Sequence, residues 1–314
     1  MSGQFIALTG ATGFIGRHLL RSLSAQGYRV RVLLRRPVEL PPGASGAVVG
    51  DLTRPMNMAA ALADVDAVVH SAGLAHAMSG TPEDDYRASN TDATRRLGEA
   101  AARARVRRFV FLSSIRAQTG PSAQGIVAET DVAAPTDAYG RSKLDAETAL
   151  SEIGLDWVAL RPVLVYGEGV KGNMAALMRL AASPYPLPLG SIAGRRSLVS
   201  LDSLSDAVVT VLRAPERLSS PLILAEPDPL TLPQMVAALR RGLGRRPGTI
   251  PCPTALIDIA CRLAGRHEAF ARIATDLVAR SDGLSALGWV PRTTSRDGLA
   301  SLARSTLDDA AAGR

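Results

Sequence analysis

Short apolar runs alternate with helix-like periods along the first half of the chain. After the first run, IGRHLLRSLSAQG places Ile15, Leu19, Leu20 and Leu23 at the spacing of one helix face, and Gly27 marks the end of that helix. Strands that alternate with helices in this way are typical of βαβ units. The pattern therefore predicts an α/β fold with a Rossmann-like, doubly wound parallel sheet. The predicted strands are QFIALTG, YRVRVLL, GAVVG, DAVVHSAG, RRFVFLSS and DWVALRP.

The pattern changes after Pro162. Glycine and proline interrupt VYGEGVKGN and SPYPLPLGSIAGRRS, and the later helical segments are shorter. We predict one domain over residues 1–165 and a smaller C-terminal lobe over 166–314. The apolar run PLILAE adds the expectation that the chain returns to the main sheet within 196–226.

The composition argues against nucleic acid as a partner. Aromatic residues make up 4% of the chain, too few for a base-stacking platform. The formal net charge is +7, but the arginines are spread along the chain rather than clustered in a tail. A positively charged pocket for an anionic small molecule accounts for this charge equally well.

The sequence predicts neither a metal site nor a disulfide framework. Cys252 and Cys261 are the only cysteines, and the four histidines show no spacing typical of metal ligands. No apolar segment reaches the length of a membrane span, and the N-terminus lacks a basic region followed by a long apolar run. We therefore expect a cytoplasmic protein without a membrane partner.

The glycine-rich stretch GATGFIG follows the first predicted strand and opens the first helix. Gly10 permits a tight turn, Gly13 lets backbone N–H groups approach a pyrophosphate, and Gly16 lets helix and strand pack closely. The spacing is GxxGxxG rather than GxGxxG, and a merely tight turn is the alternative. Between a strand and a helix, this loop predicts a dinucleotide site in the first domain.

The end of the second strand bears on the choice of dinucleotide. Arg35 and Arg36 follow RVRVLL, and no acidic residue occurs before Glu39. Guanidinium groups at this point match the 2′-phosphate of NADP(H), which we favour. If both arginines are merely solvated, NAD(H) is the alternative. Asp51, after AVVG, is placed to accept a hydrogen bond from an adenine amino group.

Tyr139 and Lys143 lie one turn apart in the predicted helix PTDAYGRSKLDAETALSEIG. A free phenol ionises near pH ~10. We expect a nearby ammonium to lower that pKa toward neutrality, where general acid–base catalysis is most effective. A pair on a solvated helix face is the alternative. Ser114, at the end of RRFVFLSS, is placed to hydrogen-bond a substrate oxygen unless it only shapes the turn.

These motifs resemble those of the extended short-chain dehydrogenases/reductases, and within them the nucleotide-sugar epimerase, dehydratase and reductase group. The resemblance covers almost the whole chain, from GATGFIG through HSAG, LSSI and RPVLVYG to LGWVP. It implies an NAD(P)-dependent oxidoreductase or epimerase, with NAD(P) in the first domain and a nucleotide sugar mainly in the C-terminal lobe. Relatives of this type often pair through two helices, so the resemblance also implies a homodimer.

The resemblance implies a role for individual residues. Tyr139 is the general acid/base, Lys143 holds the nicotinamide ribose, and Ser114 orders the substrate. Asn173 and Arg196 match positions that contact the diphosphate of the substrate. The positions implied for the cofactor are Gly10, Thr12, Gly13, Phe14, Ile15, Gly16, Arg35, Arg36, Asp51, Leu52, Ser71, Ala72, Gly73, Asn90, Tyr139, Lys143, Pro162 and Val163.

Two departures from the group narrow the expected reaction. Its 4,6-dehydratases carry Asp-Glu directly after the active-site hydroxyl residue, where this chain has Ile115 and Arg116. Its epimerases usually hold NAD with an acidic residue after the second strand, where this chain has Arg35. The leading hypothesis is therefore an NADPH-dependent reductase of a UDP-4-keto-6-deoxy-hexosamine, with hydride added at C4 and Tyr139 as proton donor. The alternatives are an NAD-dependent UDP-hexose or UDP-N-acetylhexosamine 4-epimerase and a non-catalytic NADP-binding sensor.

Overall fold

A parallel β-sheet forms the centre of the protein in this computed structural model, which describes residues 3–74, 80–265 and 267–312. In chain order the strands are β1 Phe5–Thr9, β2 Arg29–Leu34, β3 Ala44–Val48, β4 Ala67–His70, β5 Arg108–Leu112, β6 Ile126–Val127, β7 Trp157–Pro162, β8 Leu164–Tyr166, β9 Arg195–Arg196, β10 Leu198–Ser200, β11 Ser220–Leu224, β12 Leu230–Thr231 and β13 Val278–Ala279.

Helices follow most of these strands. They are α1 Phe14–Ala25, α2 Met58–Ala61, α3 Glu83–Tyr86, α4 Ala93–Arg103, α5 Ile115–Gln118, α6 Ala138–Glu152, α7 Gly172–Ala181, α8 Leu201–Arg213, α9 Leu232–Gly242, α10 Thr254–Leu263, α11 His267–Ala274, α12 Asp282–Ala286 and α13 Ser295–Ala312, with a π-helical segment, Arg87–Asp92, between α3 and α4. No helix in the described part of the chain is long and apolar enough to cross a membrane.

The central sheet has the order β3-β2-β1-β4-β5-β7-β11 across the described residues, and every neighbouring pair is parallel. From β1 the chain first builds the sheet in one direction and then returns to build it in the other. This order confirms the predicted doubly wound α/β fold. Ligands of such sheets bind beyond the carboxyl ends of the strands where the order reverses, here between β1 and β4.

Helices cover both faces of the sheet because alternate strand residues point to opposite sides. In β1, Ile6 and Leu8 belong to an apolar cluster with α1 and α8, whereas Ala7 belongs to a cluster with α4 and α6. A separate apolar cluster joins α7, α9 and α13 in the C-terminal part of the chain. β11, which overlaps PLILAE, pairs with β7 in the main sheet. The domain limits 1–165 and 166–314 stay a prediction.

Candidate active site

The glycine loop between β1 and α1 contacts the loop that follows β4. Gly10 has φ +72, and a Cβ on it would lie 2.6 Å from the backbone nitrogen of Ala72. A Cβ on Gly16 would lie 2.0 Å from the carbonyl oxygen of Gly10, so both positions require glycine. Gly13 precedes the first turn of α1 without a side-chain cap. The N–H groups of that turn therefore have no acceptor from a capping side chain, as an anion site requires.

A buried histidine that the sequence patterns did not single out supports these loops. His70 Nδ1 lies 2.7 Å from the hydroxyl of Thr9, which accepts a hydrogen bond from the N–H of Ala72. His70 Nε2 lies 3.0 Å from the hydroxyl of Thr94, which donates to the carbonyl of Asn90. This order of donors requires the proton on Nε2, with Nδ1 as acceptor. Burial, aided by the Lys143 charge, lowers the pKa of His70 to about 3, so the ring is neutral.

Three residues assigned to the cofactor, Gly73, Asn90 and Lys143, lie close together at the loop that follows β4. Asn90 lies in the π-helical segment, a feature frequent at functional sites. Its Oδ1 accepts a hydrogen bond from the N–H of Leu74, and its Nδ2 donates to Ser142 Oγ. A Cβ added to Gly73 would lie 2.8 Å from Asn90 Oδ1 and 3.3 Å from Lys143 Nζ. Only glycine leaves room beside these two polar side chains.

Lys143 reaches this point from α6. Its side chain is buried, and Nζ donates a hydrogen bond of 2.9 Å to the carbonyl of Leu112 at the end of β5. The ammonium also lies 4.6 Å from the centre of the Phe111 ring. Burial lowers the pKa of Lys143 to about 8, while the Glu147 carboxylate opposes that change. The amine therefore stays charged at neutral pH in a site that penalises its charge.

Tyr139 lies one turn before Lys143, and its phenol hydrogen-bonds the side chain of Ser114. Burial raises the pKa of Tyr139 to about 12, although the bond to Ser114 and the charge of Arg116 lower it. The expectation of a pKa lowered toward neutrality is wrong for the protein alone, because desolvation of the phenolate outweighs the nearby cation. The phenol is protonated at neutral pH and is ready to donate.

An ion pair fixes Ser114 relative to Tyr139. The Ser114 side chain caps α5 by accepting a 3.1 Å hydrogen bond from the N–H of Arg116. The Arg116 guanidinium pairs with Asp137, whose other carboxylate oxygen caps α6 by accepting from the N–H of Gly140. The two helices that carry the reactive hydroxyls are thus tied together at their first turns. Arg116 was noted in the sequence only as a departure from the dehydratases.

The hydroxyl of the neighbouring Ser113 is engaged by a different residue and not by Tyr139. Its hydroxyl donates a 2.5 Å hydrogen bond to Glu147, which forms a buried ion pair with Arg161. Ser114 is therefore the serine at this strand end that faces Tyr139.

The adenine side of the predicted cofactor site carries opposite charges. Arg35 Nη2 lies 3.4 Å from Asp51 Oδ2, and both side chains are largely exposed. Hydrogen bonds from Thr53, with a smaller effect of Arg35, lower the pKa of Asp51. Arg36 is exposed beside them, and Leu52 is partly buried against the core. Arg35 and Asp51 thus lie close together.

Other assigned positions lie further along the same edge. Val163 follows Pro162 at the end of β7, and its N–H donates to the carbonyl of Leu224. Arg196 lies on β9, and its Nη1 donates a 2.6 Å hydrogen bond to the carbonyl of Pro121. Burial and then the charge of Arg116 lower the pKa of Arg196, so the two guanidinium groups are close.

Arg196 has a donor that fits a ligand oxygen. Its Nη2 is buried, and no hydrogen-bond partner for it occurs among the described residues. Asn173 is exposed in the first turn of α7, and no hydrogen bond joins it to Arg196 among the described residues. No cluster of three or more histidine, cysteine, aspartate or glutamate side chains suited to a metal occurs within residues 3–74, 80–265 and 267–312, and His76 lies outside them.

The chain matches the NAD dependent epimerase/dehydratase family over residues 6–224. It belongs to this family. UDP-glucose 4-epimerase of Vibrio cholerae is 34% identical over 96% of this chain and 95% of that protein. dTDP-6-deoxy-L-talose 4-dehydrogenase (NAD(P)(+)) of Kitasatospora kifunensis is 32% identical over 95% of this chain and 94% of that protein. The structure of MoeE5 in complex with UDP-glucose and NAD matches with a TM-score of 0.77 and 29% identity, covering 98% of this chain and all of that chain.

The family membership confirms the resemblance found in the sequence. The protein is an NAD(P)-dependent oxidoreductase or epimerase of the extended short-chain dehydrogenase/reductase type, in a group whose members act on nucleotide sugars. Its own residues fit a dinucleotide: glycines stand where the loops approach closely, the first turn of α1 has no side-chain cap, and Lys143 is buried beside Gly73. The comparisons include relatives with NAD bound and give no support to a preference for NADP.

Proposed function

We propose that this protein catalyses reversible hydride transfer at C4 of a UDP-linked hexose, with 4-epimerisation as the net reaction. The observation that carries the proposal is the hydrogen bond between Ser114 and Tyr139, one helical turn from the buried Lys143, beside the glycine loop. Such a hydroxyl pair suits the oxidation of a secondary alcohol and the reduction of the resulting ketone. The similarity to a UDP-glucose 4-epimerase along nearly the whole chain favours epimerisation over net reduction.

In this proposal each residue has a separate task. Ser114 orients the C4 oxygen, and Tyr139 donates its proton to that oxygen in the reducing direction. In the oxidising direction Tyr139 accepts the proton, which requires its pKa to fall from about 12. A bound nicotinamide would supply the hydride acceptor and donor, and its oxidised ring would carry a positive charge. A cation beside a phenol lowers the phenol pKa.

Binding is assigned to three further groups. The N–H groups at the start of α1 hold the pyrophosphate of the cofactor, and Lys143 holds the nicotinamide ribose. The unpartnered Nη2 of Arg196 binds the diphosphate of the substrate, because a buried guanidinium donor is satisfied by a phosphate oxygen. Asn173 contributes to the same diphosphate if the substrate draws α7 toward it.

A second candidate is the NADPH-dependent reductase of a UDP-4-keto-6-deoxy-hexosamine. It is favoured by Arg35 and Arg36, which directly follow β2 where NAD-specific relatives carry an acidic residue. The exposed guanidinium groups match a 2′-phosphate, and NADP(H) is the cofactor we propose for this case. The ion pair with Asp51 holds Arg35 beside the adenine position but also offsets part of its charge.

The cofactor released on heat denaturation separates the two candidates. Stoichiometric NAD, together with interconversion of UDP-glucose and UDP-galactose, supports the epimerase. A site that releases no nucleotide, followed by steady NADPH oxidation with a UDP-4-keto-6-deoxy-hexosamine, supports the reductase. The absence of both activities with these substrates would contradict both candidates.

A pair of substitutions tests the cofactor preference. Replacing Arg35 by Asp and Arg36 by Ser is expected to raise the NAD/NADP preference by about tenfold or more, since one charge-assisted contact to phosphate is lost for each arginine. Arg29→Ser, at the opposite end of the same strand, is the matched control. An unchanged preference would remove the argument for NADP.

A further inference from the structure

Helix α10 presents an apolar face to solvent. Leu256, Ile259 and Leu263 follow the spacing of one helix face, and each is more than half exposed, Leu263 to 86%. None of the ten residues of α10 is fully buried. On a helix that packs in the usual way, these side chains would face the core.

The opposite side of α10 makes its contact with the protein. Ile257 and Cys261 lie about half a turn away from the exposed face, and both are partly buried. The helix therefore contacts the protein through Ile257 and Cys261, while three large apolar side chains are exposed to solvent. The stability of the fold alone does not explain why three large apolar side chains are exposed on one face of this helix.

Two further exposed apolar side chains lie on the segment that leads into α10 and on the segment hydrogen-bonded to it. Ile250 is half exposed just before α10, and Tyr185 is 74% exposed on the segment that runs beside it. The segments are joined by hydrogen bonds between Leu187 and the backbone of Gly248 and Ile250. We define the apolar patch by its residues, which are Tyr185, Ile250, Leu256, Ile259 and Leu263.

The surroundings of the patch are positively charged. Residues 245–265 contain three arginines and one acidic residue, Asp258. Arg245, Arg246 and Arg262 are exposed around the patch, and Arg262 pairs with Asp258 one turn away. Apolar side chains with an amphipathic tyrosine and flanking arginines are the composition of helices that lie in a membrane interface.

We propose that the apolar patch docks the protein on the surface of an anionic lipid bilayer. The aliphatic side chains of α10 enter the boundary between headgroups and acyl chains, and the arginines contact lipid phosphates. A second copy of the chain fits less well, because a symmetric contact through this patch places arginines opposite arginines. The proposed docking does not depend on the proposed chemistry.

Flotation of the full chain with vesicles tests the proposal. The probes are vesicles of phosphatidylcholine with about one third phosphatidylglycerol, and vesicles of phosphatidylcholine alone. We expect the protein to float with the anionic vesicles and to dissociate as salt is raised. Joint replacement of Leu256, Ile259 and Leu263 by Ser is expected to weaken binding by at least about tenfold.

Two variants serve as comparisons. Val132→Ser with Val290→Ser removes two strongly exposed apolar side chains elsewhere and should leave binding unchanged. Arg246→Gln with Arg262→Gln keeps the apolar face and should weaken binding to anionic vesicles by about 25-fold, since each arginine near the surface contributes about fivefold. This pair keeps the test valid if the serine variant does not fold.

Several results would overturn the proposal. One is failure of the unaltered protein to float with anionic vesicles at low salt. Others are equal binding of the serine variant or equal binding to both kinds of vesicle. A dimer in light scattering that the serine variant breaks would assign the patch to a contact between copies of the chain instead.

Discussion

Replacing Lys143 by Met separates the stability of the fold from its function. The amine is buried, hydrogen-bonded to the carbonyl of Leu112, and placed over the ring of Phe111. A methionine side chain has a similar length and no charge. We expect Lys143→Met to be more stable than the unaltered protein at pH 7, and inactive because the ribose contact is lost.

The size of the expected gain in stability follows from the pKa of the Lys143 amine. A pKa that falls from 10.5 to about 8 on folding means that burial of the charged form costs about 3 kcal/mol. Losing the hydrogen bond to Leu112 and the contact with Phe111 returns about 1–2 kcal/mol. The free energy of unfolding of the variant should therefore be about 1–2 kcal/mol higher at pH 7, which corresponds to a rise of a few degrees in melting temperature.

The stability difference between Lys143→Met and the unaltered protein depends on pH within a defined window. Below pH 8 the folded protein holds the charged amine, and the cost is fully present. As the pH rises from 8 to 10.5, the folded protein loses this proton before the unfolded chain does, so the cost disappears. The advantage of Lys143→Met should shrink across this window and vanish or reverse at its upper end.

Thermal unfolding at pH 7 and at pH 10 measures the difference directly. Lys171→Met, at the exposed other lysine of the chain, is the matched control and should change stability little at either pH. A Lys143→Met protein that is less stable at pH 7, or that differs equally at both pH values, would refute the assignment of a buried, penalised ammonium.

Two other substitutions test the supports of the site. Gly73→Ala brings a Cβ within 2.8 Å of Asn90 Oδ1 and should weaken cofactor affinity by about tenfold, with stability lowered by about 1 kcal/mol; unchanged affinity in a nucleotide titration would place the cofactor elsewhere. Glu147→Gln leaves the Arg161 guanidinium buried without its counter-charge and should cost about 3–5 kcal/mol in urea unfolding. Glu152→Gln is the control, because it removes an exposed ion pair on the same helix and should cost less than about 1 kcal/mol. Equal costs for Glu147→Gln and Glu152→Gln would show that burial of the ion pair is irrelevant.

The sheet was predictable because most of its strands are buried on both faces and have the sequence pattern of short apolar runs. The glycine loop was predictable because close backbone approach at Gly10 and Gly16 permits no other residue. The helix of Tyr139 and Lys143 was visible from its length and from Asp137, a residue favoured at helix starts, although its capping role was not predicted.

Other features depend on contacts between distant segments. The path from Thr9 through His70 to Thr94 joins residues 24 to 61 positions apart, and a lone histidine gives no local pattern of such a network. The pKa of Tyr139 depends on how deeply the phenol is buried, which helical spacing does not specify. The exposure of α10 also could not be inferred, since an apolar periodicity predicts a buried face.

The proton transfer assigned to Tyr139 is the central claim, and Tyr139→Phe tests it most directly. Turnover is measured as interconversion of UDP-glucose and UDP-galactose, and as NADPH oxidation with a UDP-4-keto-6-deoxy-hexosamine. Tyr28→Phe removes a hydroxyl at the opposite edge of the sheet, where it accepts a hydrogen bond from Arg213, and should retain activity. We predict that Tyr139→Phe loses about 10²–10⁴-fold in kcat while it still binds the cofactor; full turnover by this variant would contradict the account.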